Sequence, residues 1–301
     1  MTKEYILNHK IQKALKFIHL VFVAGCTGGV MAALALMSAR AGLGSGTNPL
    51  PLDLGVYRII NLVVNYSFFG ILFTAVIYGL FTKWGFFLHR WIIVKWAAIV
   101  LLFGFVWVWL GPAIDGMVAI SDGGFSIPGA MEEYSDYAEN GVRYLIIEAG
   151  VFIALIWLSI FKPWGARRTK RRINRKVQIV LVSIVVMIFI AMSVMMSLSL
   201  DYYRNLEIAD RTASGLQDGI YSGSAVVAGI LYEADVEVKD ERIVDVVFTE
   251  NRESSYARYA EGVVPRILEK QTPNVDAITA ATTTSKALMK AVEDALEGNS
   301  N

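Results

Sequence analysis

Residues 276–285 (DAITAATTTS) decide how the C-terminal part of this chain is organised. They place one carboxylate, a pair of alanines and a run of four hydroxyl residues just before residues 286–296, whose apolar side chains recur at helical spacing. Hydroxyl groups at a helix start bond to its free backbone N–H groups, which is their ordinary role there. The same N–H groups also bind phosphate. The pattern predicts a capped helix and leaves a phosphate site open.

The whole chain is too apolar for an ordinary soluble protein. Its 301 residues are 55% hydrophobic, and the apolar residues fall in long uninterrupted blocks. The net charge of +1 gives no overall basic bias toward nucleic acid. The single cysteine, Cys26, excludes an internal disulfide framework and any all-cysteine metal or iron–sulfur site.

Five apolar blocks are long enough to cross a bilayer, because a spanning helix needs roughly 20 apolar residues. They predict an integral membrane protein with a five-helix transmembrane bundle, at residues 14–38, 57–81, 87–110, 143–161 and 177–200. Small residues in the first block (Gly25, Gly28 and Gly29) predict close packing between helices. The predicted divisions are a transmembrane domain at 1–200, a linker at 201–215 and a small α+β domain at 216–301.

The charges of the loops predict the orientation of the chain. Residues 162–176 carry eight Lys or Arg and no acid, and short basic loops stay in the cytoplasm. The loop between the third and fourth blocks carries six acids before its first base, Arg143, and is predicted to lie outside. The N-terminus is therefore predicted to be cytoplasmic, and the C-terminal domain extracytosolic.

Two histidines are predicted to lie at similar depth near the cytoplasmic face. His19 falls early in the first block and His89 early in the third. Two facing imidazoles can ligate one b-type haem or bond to a quinone. The alternative is that each ring simply lies at the membrane interface. Glu148, in the fourth block, is likewise either a proton or cation relay or an interfacial acid near Arg143.

The C-terminal domain opens with residues 218–224 (DGIYSGS), which predict a turn and a short glycine-rich strand. Two alternating segments follow at 225–238 and 242–248, and the intervening KDE predicts a hairpin turn. Residues 256–268 predict a helix in which Pro265 is either unexplained or starts a second turn.

These features together resemble the FMN-binding domain in the flavin-carrying subunits of the sodium-pumping quinone reductase and the Rnf complex. The resemblance covers about residues 216–298, in the stretches DGIYSGSA, KDERIVDVVF and VDAITAATTTSKALMKAVEDAL. Family members carry an Asp, a small hydroxyl residue, Gly-Ala-Thr, any residue and a final Thr before a helix. A dedicated transferase attaches FMN through its phosphate to that final Thr, usually outside the cytoplasmic membrane.

The resemblance implies that Thr284 is the covalent FMN acceptor, with Asp276 as the acid of the motif and Thr279 as its hydroxyl residue. The other matched positions are Ala281, Thr282 and Thr283. The glycine of the family is Ala280 in this chain. Glycine allows a positive φ or the close approach of another backbone, so Ala280 is expected to slow attachment or alter the loop without removing the acceptor.

Four further residues are expected near the flavin. Gly219 and Gly223 would let the backbone approach the cofactor, and Tyr221 would stack on the ring or bond to it. An ordinary β-turn explains these three residues equally well. Glu250 resembles a family position near the flavin edge.

The predicted function is that of a membrane-anchored bacterial flavoprotein that carries electrons at the outer face of the cytoplasmic membrane. The expected partners are a flavin transferase for maturation, a membrane quinone or a redox partner subunit, and the lipid bilayer, with no nucleic acid. Two alternatives stay open. One is a transmembrane haem- or quinol-linked electron conduit through His19 and His89. The other is a non-catalytic membrane sensor or assembly protein with a flavin-binding domain.

Overall fold

The structure is a computed structural model that describes residues 7–44, 46–82, 85–86, 89–164, 180, 183 and 202–297. The fifth predicted span, residues 177–200, lies outside the described residues apart from two positions, and so does most of the basic 162–176 loop. The chain divides into two compact units. One comprises Met1–Ile114 and Ala138–Ala191, and the other comprises Asp115–Tyr137 and Met192–Asn301.

Four helices of the described residues are long and apolar enough to cross a membrane. They are His9–Ala41, Leu50–Phe81, Arg90–Asp122 and Ala130–Phe161. Each has 32 or 33 residues, which exceeds the roughly 20 that a hydrocarbon core requires. The first four predicted spans coincide with these helices, one span in each.

Two of the long helices contain a π-helical segment. The second long helix consists of α2 (Leu50–Arg58), π-helical Ile59–Val64 and α3 (Asn65–Phe81). The third consists of α4 (Arg90–Phe105), π-helical Val106–Leu110 and α5 (Gly111–Asp122). The other two are α1 (His9–Ala41) and α6 (Ala130–Phe161). A π segment adds to the helical turn, so the side chains after it are rotated relative to those before it.

Glycines on α1 let it approach the second long helix. A Cβ at Gly25 would lie 2.5 Å from Ser67 Oγ, and a Cβ at Gly29 would lie 2.7 Å from Val64 Cγ2. Both distances are too short for a real side chain, so the helices come close because these positions have none. The predicted packing role is confirmed at these two glycines, whereas no described atom would lie within 4 Å of a Cβ at Gly28.

The second unit contains a three-stranded antiparallel sheet in the order β1-β2-β3. Its strands are β1 (Gly219–Val227), β2 (Ile230–Lys239) and β3 (Arg242–Glu250). Both connections are two-residue turns with positive φ, +53° and +78° at Ala228-Gly229 and +52° and +58° at Asp240-Glu241. This is the pattern of type I′ hairpins, which suits the twist of the strands.

The second hairpin confirms the predicted KDE turn, but the strand assignment before it was wrong. The predicted segment 225–238 is split by the Ala228-Gly229 turn into the end of β1 and most of β2. Residues 219–224 of DGIYSGS all lie in β1, which confirms the short glycine-rich strand, and in place of the predicted turn there is only a bend at Asp218.

Helix α9 (Thr282–Glu297) covers one face of the sheet by packing on β1 and β2. Its side chains at helical spacing are fully buried, among them Leu288 and Val292, and on the sheet Ala234 and Val236 are equally buried. Burying one such leucine or valine contributes roughly 1.5–3 kcal/mol. The amphipathic pattern of the sequence therefore builds the core of this domain.

Two short helices join the sheet to α9, where the sequence predicted one. They are α7 (Ser255–Ala260) and α8 (Val264–Lys270), separated by the 3₁₀ residues Glu261–Val263. Pro265 lies in the first turn of α8, where its missing N–H costs no intrahelical bond. The proline thus marks the start of a second helix.

Residues 202–215, most of the predicted linker, pack onto the C-terminal domain. Ile208 and Ala213 are buried, and the N–H of Ala209 donates to Glu293 Oε2 at 3.1 Å. The hydroxyl of Thr272 donates to Asp210 Oδ1 at 2.6 Å. This segment is therefore tied to α9 and to the residues that follow α8.

Candidate functional site

The 276–281 loop runs without helix or strand into α9 and is held by one fully buried serine. Ser285 Oγ accepts a hydrogen bond from the N–H of Ile278 at 3.2 Å and donates to the carbonyl of Ala281 at 3.1 Å. The N–H of Ala281 donates to the Ile278 carbonyl at 3.1 Å, which closes a turn. The last residue of the predicted hydroxyl run therefore fastens the loop to the helix.

Ala280 has a φ of +64°, in the left-handed region that favours glycine. The family resemblance aligns Ala280 with a glycine, and glycine adopts this φ without strain. An L-residue with a Cβ pays roughly 1–2 kcal/mol for this conformation. The expected effect of Ala280 thus has a physical basis, namely local strain four residues before Thr284.

Thr284 lies in the first turn of α9 and is only 8% exposed. Its polar neighbour is Tyr232 on β2, which is 3% exposed. Burial raises the pKa of the Tyr232 hydroxyl above its ordinary value, and the Arg252 charge and a hydrogen bond with Thr284 oppose that shift only in part. Tyr232 therefore stays protonated at neutral pH.

The sequence analysis missed Tyr232 and Arg252. The only sequence signal was that Tyr232 falls on the inward-facing side of an alternating strand. Such a pattern marks a core residue and does not show which helix residue it will meet. Arg252, which is exposed, is the second residue after β3 and brings a positive charge to this region.

The other residues of the predicted attachment motif differ in their burial and in their hydrogen bonds. Thr282 and Thr283 are half-buried at the start of α9. The Asp276 side chain is 93% exposed and lies 3.9 Å from Lys270 Nζ, so this ion pair contributes about 0–1 kcal/mol at most. The carbonyl oxygen of Asp276, rather than its side chain, accepts a hydrogen bond from Arg266 Nη1 at 2.8 Å.

Thr279 is held through its backbone by a carboxylate from a distant part of the chain. Its N–H donates to Asp122 Oδ2 at 2.7 Å, and Asp122 Oδ1 accepts from Arg266 Nη2 at 2.8 Å. These three residues all belong to the second compact unit. Asp122 carried no role in the sequence analysis beyond the acidity of its loop.

The four residues expected to lie near the flavin are all in strands of the sheet. Gly219 is exposed at the start of β1, and Tyr221 is 9% exposed and donates its hydroxyl to the Gln217 carbonyl at 2.7 Å. A Cβ at Gly223 would lie 2.1 Å from Ala295 N, so the backbone that comes close here is that of α9. Glu250 is exposed at the end of β3, opposite Glu233.

The two histidines proposed as haem ligands have neighbours within the first unit. His19 Nδ1 lies 2.7 Å from Thr74 Oγ1, and the His89 ring lies 5.9 Å from the Trp91 ring, centroid to centroid. Haem ligation at these residues stays a prediction.

Glu148 is 3% exposed, and its Oε2 has no hydrogen-bond partner among the described residues. Arg143 pairs with Glu139 at 2.5 Å, and both interpretations of Glu148, as a relay or as an interfacial acid, stay predictions.

Residues 232–297 match the sequence model of the family described as FMN-binding domain. The match covers 66 of the 301 residues, and this part of the chain is similar to an FMN-binding domain. The match begins at Tyr232 in β2, ends with α9 and contains the whole 276–281 loop. No curated protein and no solved structure matches the chain. The predicted family is thereby confirmed for these residues, and FMN is the cofactor that the domain indicates.

The first turn of α9 is a favourable place for the negative charge of a flavin phosphate. The first turn of α9 has backbone N–H groups at the positive end of the helix dipole, and three threonine hydroxyls lie on that turn. Arg252 adds a positive charge near Tyr232. Only Thr284 of the three threonines is buried, whereas Thr282 and Thr283 are half-buried.

Proposed function

We propose that this protein is a membrane-anchored flavoprotein that carries electrons through FMN linked covalently to Thr284. The observation that carries the proposal is the match of residues 232–297 to the FMN-binding domain, with a threonine at the last position of its attachment motif. The four long apolar helices supply the anchor. Bound FMN supplies the redox chemistry, and the protein supplies its position and electrostatic surroundings.

The attachment is a phosphoryl-group transfer to the Thr284 hydroxyl. Joining an alcohol to the phosphate of free FMN would release water and has no good leaving group, so we take the donor to be a flavin phosphoanhydride. The bond formed joins Thr284 Oγ1 to the flavin phosphorus, and the bond broken joins that phosphorus to the bridging oxygen. The nucleoside monophosphate leaves with the electron pair, and the threonine proton passes to solvent or to the transferase.

The chain holds the product by its phosphate and leaves the ring free. The positive end of the α9 dipole stabilises the negative charge of the phosphodiester. Rotation about the Thr284 side chain moves Oγ1 between staggered positions without unwinding the helix. We propose that Tyr232, whose pKa is affected by Thr284, helps to orient the Thr284 side chain in the unmodified protein.

The proposed location is the outer face of a bacterial cytoplasmic membrane, with the N-terminus in the cytoplasm. The support for this orientation is the basic 162–176 loop and the acidic loop before Arg143. The proposed partners are a flavin transferase, which matures the protein, and a membrane quinone or redox subunit, which exchanges electrons with it. Oxidoreductase activity belongs to that assembly in this proposal, and the chain itself is the carrier.

Fluorescence of the denatured protein tests covalent attachment directly. Full-length protein from cells that contain the transferase is separated on a denaturing gel and viewed under ultraviolet light. We expect a fluorescent band that Thr284→Val abolishes. Thr283→Val is the matched control, because it alters the adjacent hydroxyl and should leave the band. A dark wild-type band, or a band that persists in Thr284→Val, would contradict attachment at this residue.

A further inference from the structure

One carboxylate ties the 276–281 loop to a helix from a distant part of the chain. Asp122 is the last residue of α5, and its side chain is 14% exposed. Oδ2 accepts from the Thr279 N–H at 2.7 Å, while Oδ1 accepts from Arg266 Nη2 at 2.8 Å. Both oxygens are therefore engaged, one by the loop and the other by α8.

Arg266 also bonds to the backbone of the 276–281 loop. Nη1 donates to the Asp276 carbonyl at 2.8 Å and lies 3.4 Å from the Ala277 carbonyl. Nη2 also donates to the Asp122 carbonyl at 2.5 Å. A guanidinium has five donors in a fixed planar fork, so one arginine can hold several acceptors that a lysine ammonium cannot reach together.

The residues around Asp122 are docked on the domain at further points. Gly123 and Gly262 are in backbone contact, since a Cβ at Gly262 would lie 3.0 Å from Gly123 Cα. Glu133 accepts hydrogen bonds from Arg258 and from the Tyr259 hydroxyl, and the Tyr259 and Tyr137 hydroxyl oxygens lie 2.8 Å apart. The Asp122 contact is thus one part of a specific docking of residues 115–137 within the second unit.

We propose that Asp122 and Arg266 are positioning residues for the attachment of FMN to Thr284. The inference rests on the proposed function, because it assumes that Thr284 is the attachment site. The direction in which Oγ1 points depends on how the 276–281 loop enters α9, and these two residues fix three backbone positions of that loop. They do not touch the reacting atoms. The helix ending at Asp122 therefore sets the geometry of the attachment site.

The test uses full-length protein purified without flavin, the transferase and flavin adenine dinucleotide as the donor. The initial rate of fluorescent labelling is measured over a range of donor concentrations. We expect Asp122→Asn and Arg266→Met each to lower kcat about tenfold, because each removes a charge-assisted bond to the loop, and to change KM for the donor by less than about twofold. Arg266→Lys keeps the charge near Asp122 and is expected to fall between wild type and Arg266→Met.

Two further measurements separate positioning from general damage. The double variant Asp122→Asn/Arg266→Met should be no slower than the slower single variant, because both act through one network. Hydrogen exchange of unmodified Asp122→Asn should increase in residues 276–285 and stay at the wild-type level in β1–β3. Matched controls are Asp136→Asn, an exposed carboxylate of the same segment, and Arg211→Lys, which pairs with Glu297. Both controls should label at the wild-type rate.

The outcomes distinguish this inference from the proposed function. If wild-type protein takes up no flavin, both are overturned. If wild type is labelled and Asp122→Asn is labelled at the same rate, only the positioning role is overturned. If hydrogen exchange of Asp122→Asn also increases throughout β1–β3, the labelling rate of Arg266→Lys is compared with wild type instead. Labelling of Arg266→Lys at the wild-type rate then overturns the positioning role.

Discussion

Gly223 on β1 is in direct backbone contact with Ala295 on α9. A Cβ on Gly223 would lie 2.1 Å from Ala295 N and 2.4 Å from the carbonyl oxygen of Ala291. Both are main-chain atoms, so no side-chain rotation can relieve the overlap. The separation between the sheet and the helix is therefore one that only glycine at position 223 permits.

Gly223→Ala is expected to destabilise the C-terminal domain by about 2–3 kcal/mol, because α9 must shift away from the sheet. Pulse proteolysis across a urea series measures the loss. Gly219→Ala is the matched control, since the nearest atom to a Cβ there is 4.0 Å away and the substitution should be near neutral or slightly stabilising. Equal stability of the two variants would show that α9 does not pack on Gly223 as described.

Ala280→Gly is expected to stabilise the domain by about 0.5–1 kcal/mol. Relief of the left-handed strain, about 1–2 kcal/mol, is partly offset by the greater freedom of glycine in the unfolded chain. The variant should also take up FMN faster in the labelling assay, because the strained position lies in the 276–281 loop.

Ala228→Gly is the matched control for this prediction. Ala228 also has a positive φ, +53°, but it lies in the turn between β1 and β2. Its replacement should give a similar gain in stability and an unchanged labelling rate. A slower or unchanged rate for Ala280→Gly would argue that alanine at this position does not hinder attachment.

The domain is expected to lose stability as the pH rises above about 10. The pKa of Tyr259 is raised mainly by burial and then by its hydrogen bond to Glu133. Burial also raises the pKa of Tyr232. Both phenols stay protonated in the folded state while unfolded phenols ionise near pH 10. Their stabilising contribution is therefore complete below the unfolded pKa and is lost as the pH rises toward the folded pKa.

Tyr259→Phe should flatten this alkaline loss, although the variant should be less stable at pH 8 because the bond to Glu133 is removed. Pulse proteolysis between pH 8 and pH 11 compares the slopes, and Tyr202→Phe, which removes an exposed phenol, is the control. If the stability of Tyr259→Phe falls with pH as steeply as that of wild type, the alkaline loss of stability belongs to other groups.

Local chemistry was sufficient to predict several elements of the fold. The KDE turn was recognisable because a short polar break separates two alternating segments, and the hydroxyl run was recognisable as a helix start. The Ala228-Gly229 turn was missed because alanine precedes the glycine, where Asn or Asp would have marked a type I′ turn. One helix was expected across residues 256–268, with a second turn at Pro265 as the alternative, and the structure has two short helices there.

The contacts that shape the candidate site could not be read from neighbouring residues. Asp122 and Thr279 are 157 positions apart, and the meeting of Tyr232 with Thr284 depends on how α9 crosses the sheet. Periodicity predicts which face of an element is buried but not which residue lies opposite. The family motif located Thr284, whereas the groups that hold its loop required the folded structure.

The helix that covers the sheet also carries Thr284, the proposed attachment residue. Leu288 and Val292 complete the hydrophobic core, and Thr284 lies one to two turns before them on α9. A nascent chain with an undocked α9 would expose an apolar sheet face and would lack an ordered substrate for the transferase. A covalent flavin on this helix would accordingly act as a maturation mark that distinguishes finished copies from misfolded ones.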